Sequence, residues 1–431
     1  MPNIVNVSVT QQVASAPSQL QKTGAFVSQG GTTLAAGTTQ LLTQLADLTA
    51  ILTPAITIST ITWTANVVTV TTATPHGIPS GTTLKITIAG CTPTGYNGTF
   101  SGTSTGTTTI TYPLTNNPGT IVTKGTFQIY SAIELAAMAN TFFAQGSTLA
   151  VYVLELGAGS TAAGVVDLTA YIIQPTIRFY SYLLPSAWDA ETTAPAMAQS
   201  YEGTTAETYF YVTTTVNTYS AWTGIKSVFA TVQSPTAPAN EFSAAAIFWT
   251  TLDYNPNSSN LAHPLSFTYV YAVTPYKLTN VQQTQLKAAG VNWIGTGAEG
   301  GISNTIILWG SFMDLSPFNY WYSVDWLSIN VAQALAAAII NGSNLPTNPL
   351  YYNQAGINTL QKVAQATVNN GIAFGLILSP ANVAAVSFST YVQQNPGDYA
   401  TGTYNGLSLT FVPLRGFESI TIYLTASNIP V

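Results

Sequence analysis

Two hydrophobic rhythms alternate along the chain. Between residues 57 and 125 apolar positions recur every second residue, as in Val67-Val68-Thr69-Val70-Thr71 and Leu84-Lys85-Ile86-Thr87-Ile88. Turn signals interrupt them at Pro75-His76-Gly77, Asn97-Gly98 and Asn116-Asn117-Pro118-Gly119. This pattern predicts a small all-β module of a size that can just fold alone. From Thr126 to about Val273 the rhythm changes. Ser131-Ala132-Ile133-Glu134 reads as a capping box opening a helix that stops by Gly146, and 149–156 is a continuous apolar strand. Helices are predicted near 162–173, 189–201 and 239–250, with strands near 177–184, 206–216, 225–233 and 267–273. Helices alternating with apolar strands mean α/β layering around a largely buried sheet.

Thr279 and Gln282 form a second capping box, and Gly290 stops that helix before the strand Val291-Asn292-Trp293-Ile294. A Gly-rich turn follows, then the apolar strand of Ile302, Ile306, Ile307, Leu308 and Trp309, and an aromatic loop with Phe318, Tyr320, Trp321 and Tyr322. Asp325 is placed to cap the next helix. That helix is apolar nearly all round: Leu327, Val331, Leu335 and Ile339 form one stripe, and Ala334, Ala336 and Ala338 fill most of the rest. It needs cover on several sides. A helix over about 354–370 carries Ile357, Leu360, Ala364 and Val368 on one stripe, with Gln361, Lys362 and Gln365 elsewhere. Near the C-terminus Leu407, Leu409 and Phe411 alternate, then Ile420, Ile422 and Leu424. Residues 1–22 read as an extended arm in which Val5, Val7 and Val9 alternate with polar residues as one short strand.

Composition narrows the possibilities. A chain of 431 residues most naturally makes two or three domains. Only 6% of residues are charged, against about 25% in an average soluble protein. The mean hydropathy is +0.27, yet no run of eighteen apolar residues occurs, so no transmembrane helix is expected. No basic region followed by an apolar core opens the chain, so no secretory signal is expected. Thr, Ser, Asn and Gln supply the wettable surface, and the apolar excess is expected to be buried between subunits. The net charge of −6 comes with nine scattered Lys and Arg, leaving no basic patch for nucleic acid or an anionic membrane. The single cysteine, Cys91, excludes an intramolecular disulfide and a thiolate metal cluster, and suits folding in a reducing cytoplasm.

Each candidate for chemistry has a plainer reading. Gly295-Thr296-Gly297-Ala298-Glu299-Gly300 matches a dinucleotide pattern, but a strand follows it instead of a helix, and Glu299 repels an anion. It reads as a tight turn. His76 and His263, the only histidines, lack ligands at metal spacing. Asp314 and Asp325 flank the aromatic loop as a pair might in a sugar-cleaving site, but both have ordinary turn and cap roles. No enzyme activity and no cofactor are expected.

The block from Gly290 to Gly342, with a Trp309-Gly310 dipeptide closing a strand, an aromatic loop, Asp325-Trp326-Leu327-Ser328-Ile329-Asn330 and a long Ala-rich helix, resembles contractile tail sheath proteins of phages, in a charge-poor branch. The stretch from Thr74 to Phe100 resembles a β module often inserted into phage tail proteins. The resemblance implies a multi-domain α+β chain. Its parts would be an N-terminal arm (1–22), an α/β body with a mixed sheet (23–56 and 126–275), an inserted outer all-β module (57–125), a C-terminal α+β inner domain (276–425) and a tail (426–431). It also implies a homo-oligomer of stacked rings in a virion tail, assembled in the host cytoplasm around a tube protein with baseplate and terminator partners, without nucleic acid or membrane insertion. Val5, Val7, Val9, Ile420, Ile422 and Leu424 would then add strands between subunits, and Gln361, Lys362 and Gln365 would face the tube. Another self-assembling tail or surface protein (a tube or fibre) and, further off, a glycan-active hydrolase remain as alternatives.

Overall fold

The computed structural model describes residues 20–202, 207–254, 264–297, 304–347 and 349–417. The chain opens with β1 (Gly24–Ser28), β2 (Thr38–Leu42) and a short α1 (Leu45–Thr49). Next come β3 (Ile56–Thr64), β4 (Val67–Thr72), β5 (Thr83–Thr92), β6 (Gly98–Ser104), β7 (Thr109–Pro113) and β8 (Thr123–Ile129). α2 (Tyr130–Gln145), β9 (Val151–Glu155), α3 (Thr161–Ile173), β10 (Ser181–Leu183) and α4 (Thr193–Gln199) follow. Then β11 (Tyr209–Thr214), β12 (Val228–Val232), α5 (Ser243–Asp253), α6 (Asn280–Ala288), β13 (Asn292–Thr296) and β14 (Thr305–Leu308) lead to α7 (Phe318–Ser343). The chain continues with α8 (Gln354–Ala373), β15 (Val383–Ala385), α9 (Phe388–Gln394), α10 (Pro396–Thr401) and β16 (Leu407–Leu409).

These elements fall into two compact units. One holds residues 319–414 of the described chain, and the other holds 20–254, 264–318 and 415–417. The larger unit is built on an eight-stranded sheet of order β14-β13-β12-β11-β10-β1-β9-β2. Its strands from β9 to β13 run parallel, and the edges β2 and β14 are antiparallel to their neighbours. Strand residues such as Val228-Phe229-Ala230-Thr231-Val232 are buried throughout because helices cover both faces. Val228, Ala230 and Val232 join a core with Leu168 of α3, Ala198 of α4 and Leu286 of α6. On the other face Phe26, Phe142, Phe248 and Tyr211 make a chain of ring contacts.

Where the all-β module was expected, β3 to β8 close into a barrel in the order β3-β4-β7-β6-β5-β8. Closure comes from Ile56 pairing Phe127, which also brings the two ends of the barrel segment together. Gly125, at φ +68°, permits the fold of β8 over β5, since a Cβ there would lie 2.1 Å from the Ala89 carbonyl oxygen. Ile58, Ile61, Val68, Val70, Ile86, Ile110 and Phe127 fill the interior.

Several expectations need correction. The capping box at Ser131 does not form: Ile129 is the N-cap of α2, Ser131 accepts from Gln29 N–H, and Glu134 turns inward. No strand covers 267–273; that segment lies beside β14 with a single bridge, Tyr269 to Ile306. The expected domain start at 276 moves downstream, because β13 and β14 complete the large sheet and the smaller unit begins at Asn319. Asp325 does not stand at a helix start. It is buried two turns inside α7, whose first turns are the supposed aromatic loop.

Candidate assembly surfaces

None of the catalytic candidates forms the arrangement its chemistry requires. Asp314 closes a turn, accepting from Ser316 N at 2.9 Å and from Ser316 Oγ at 3.0 Å. With Asp325 inside a helix, no loop joins the two carboxylates as a sugar-binding lip. Gly295 lies in β13, and the next described element is β14, paired antiparallel with it; residues 298–300 of that motif lie outside the described residues. His76 is buried, its Nδ1 accepts from Ile78 N at 3.1 Å, and burial pushes its pKa down. His263 lies outside the described residues, and among those described no three metal-ligating side chains cluster. Cys91 is buried in the barrel, where burial pushes its thiol pKa up.

The smaller unit carries the more informative surfaces. α8 presents Ile357, Ala364 and Val368 inward, as its stripe predicts. Gly371 fits beneath Trp326 and Leu327 of α7, where an added Cβ would sit 3.4 Å from each. Of the three residues expected on a tube-facing surface, two are engaged within the unit. Gln361 Nε2 donates to Val383 O at 2.8 Å, and Gln365 Oε1 accepts from Val383 N at 2.8 Å. Lys362 alone is exposed.

Those glutamines decide which edge of the β15–β16 pair is open. Val386 N donates to Gly406 O at 3.0 Å, so the next bonded pair along this antiparallel ladder is Ala384 with Ser408. The main-chain groups of Val383, Leu407 and Leu409 therefore point outward. Val383 is sealed by the α8 amides. Leu407 and Leu409 pair with no other strand among the described residues, so β16 is a free edge.

A second outward surface is the end of α7. Tyr322, Trp326 and Leu327 are buried, but no residue from Val331 to Ser343 is, and Ile339 and Ile340 are 47% and 62% exposed. The cover expected for this apolar helix is thus missing over its second half. α7 is long and apolar enough by length and composition to cross a membrane, though no run of eighteen purely apolar residues exists. Its outward half spans only about 20 Å at 1.5 Å per residue, short of the roughly 30 Å of a bilayer core. Val5, Val7, Val9, Ile420, Ile422 and Leu424, the expected strand-adding residues, lie outside the described residues.

No protein-family model matches the sequence, and neither does any curated protein. Solved structures do. A chain of the anti-feeding prophage (AFP) baseplate, six-fold symmetrised, is similar with a TM-score of 0.57 and 11% identity, covering 99% of each chain. A chain of the same baseplate in its contracted state gives 0.53 and 12%, covering 99% of this chain and 98% of that one. A sheath tail protein of Listeria innocua gives 0.42 and 10%, covering 84% and 88%. What the chain shares with the two baseplate chains is the fold.

Proposed function

We propose that the chain is the structural subunit of a contractile tail sheath, polymerising as stacked rings around a tail tube and shortening to drive it through a bacterial envelope. The carrying observation is the likeness of fold, over 99% of this chain, to chains of two baseplate structures, one of them in the contracted state. Two local features support it. The free edge of β16 offers main-chain groups for strand addition, in which an incoming segment supplies the missing hydrogen bonds. The outward half of α7 exposes apolar surface whose burial in an assembly is favourable by about 25 cal/mol per Å².

In this reading the arm with Val5, Val7 and Val9, or the end with Ile420, Ile422 and Leu424, pairs with β16 of a neighbour, and Lys362 is the one charge α8 turns to the tube. Baseplate and terminator proteins bound the polymer, in a virion tail assembled in the host cytoplasm. No catalytic role is assigned. Negative-stain microscopy of concentrated purified protein tests the reading: hollow tubes are expected, and removal of residues 1–15 should abolish them while leaving the far-ultraviolet circular dichroism of the subunit unchanged. A protein that stays monomeric at every concentration, with and without purified tube, would sink it.

A further inference from the structure

A cleft of about 590 Å³ opens at the carboxyl ends of β1, β9 and β10. The winding reverses there: the chain leaves β1 towards β9 on one side and returns at β10 on the other. In open α/β sheets such a reversal leaves a crevice that is the usual place for a ligand. One wall is formed by residues following those strands, including Gln29 and Ser186, together with Tyr130 and Glu134 of α2. The opposite wall is the barrel, through Lys85 of β5 and its cross-strand partner Ser101 of β6. The volume suits a small organic molecule.

Glu134 sets the chemistry. It is only 6% exposed. Its Oε1 accepts from Ser186 N at 3.1 Å and from the Ser186 hydroxyl, while among the described residues no hydrogen bond reaches Oε2. Of the other acids of the cleft, Asp189 accepts on both oxygens, from Trp222 Nε1 and Thr218, and Glu191 accepts from Thr193 on Oε1 alone but is less buried than Glu134. Lys85 makes no ion pair among the described residues, and its ammonium lies 5.5 Å over the Tyr130 ring. A buried carboxylate with an open oxygen, beside an aromatic face, is the environment an organic cation prefers.

We propose that this cleft binds a small organic cation bearing an ammonium or guanidinium group, held by Glu134 Oε2 and the ring of Tyr130. Lys85 is then the internal competitor, holding the Tyr130 face when no ligand is present. The proposal does not depend on the sheath reading.

The test is calorimetric titration of the full chain with n-butylguanidinium and n-butylammonium, with n-butanol as the neutral control. Saturable one-site binding of the cations alone is expected. Glu134→Gln keeps an oxygen for Ser186 but loses the charge, and should weaken binding about tenfold or more. Lys85→Gln should tighten it. Equal binding to Glu134→Gln and the parent, or equal binding of butanol and the cations, overturns the proposal. If Glu134→Gln does not fold, Tyr130→Leu and a crystal soaked in n-butylguanidinium decide instead: Tyr130→Leu must weaken binding, and the guanidinium must lie on Glu134 Oε2.

Discussion

Every strand of the barrel is paired on both sides, whereas among the described residues the 319–414 unit has a last strand paired on one side only and an outward apolar helix half. Both regions come from the same charge-poor, Thr-rich sequence. The barrel solves the edge problem by closure, and its thirteen buried core residues all lie between Ile58 and Ile129. The smaller unit leaves its problem open, with Ile340, Tyr351 and Val412 more than half exposed. Surfaces of that kind in one chain are best explained as half of an interface.

The largest effect should come from blocking the free edge. Leu409→Pro removes an outward-facing N–H and no bond inside the β15–β16 ladder. Polymer should disappear in sedimentation, while the subunit's melting point moves little. Normal tubes from this variant would mean β16 is not the receiving strand.

Next in size is the independence of the barrel. A fragment of residues 55–130 should fold with its own cooperative transition, and Ile110→Ala within it should cost about 2–5 kcal/mol by denaturant titration. The same substitution in the full chain should leave tubes intact. A fragment that stays unfolded would show that the barrel relies on the body. Smaller again is Ile340→Ser, which removes exposed apolar surface from α7. It should change subunit stability by no more than about 0.5 kcal/mol yet raise the concentration at which polymer forms.

The contrast also explains what could be read from sequence. Alternation in Val67–Thr71 and Leu84–Ile88 betrayed β4 and β5 because a barrel interior faces one side of each strand. The capping box at Thr279 formed as read, with Gln282 reaching back to the cap. β1 was missed: Gly24–Ser28 is a short run without alternation, buried on both faces at the centre of the sheet. Asp325 misled because a polar residue before an apolar run looks like a cap, while Pro317, immediately ahead of α7, was the better start signal. Gln361 and Gln365 looked like surface amides because their partner, Val383, is a main chain some twenty residues away that no side-chain pattern reveals. Glu134 was read as a capping residue for the same reason: its partner Ser186 comes from another strand end. Whatever depends on the fold bringing distant main chain together stays hidden in one sequence.

The smallest expected effect lies where barrel and body meet. Burial pushes the Glu134 carboxyl above its ordinary pKa, against the opposing influence of the Ser186 hydrogen bonds and the Lys85 charge. In the unfolded chain such a carboxyl titrates near pH 4.3. A folded pKa above the unfolded one means that the folded state binds the proton more tightly. The stability contributed by Glu134 is therefore fully present below about pH 4.3 and is lost as pH rises through the folded value. Glu134→Gln cannot titrate, so its stability relative to the parent should grow with pH from about 4.3 and then level off. Urea unfolding of both proteins across a pH series measures this directly. Adding n-butylguanidinium at neutral pH should narrow the gap by stabilising the parent more than the variant, because only the parent offers the ligand a carboxylate at position 134. Parallel stability curves for the two proteins would mean that the Glu134 charge is as well solvated in the cleft as in water, and the difference between a self-sufficient barrel and a needy junction beside it would vanish.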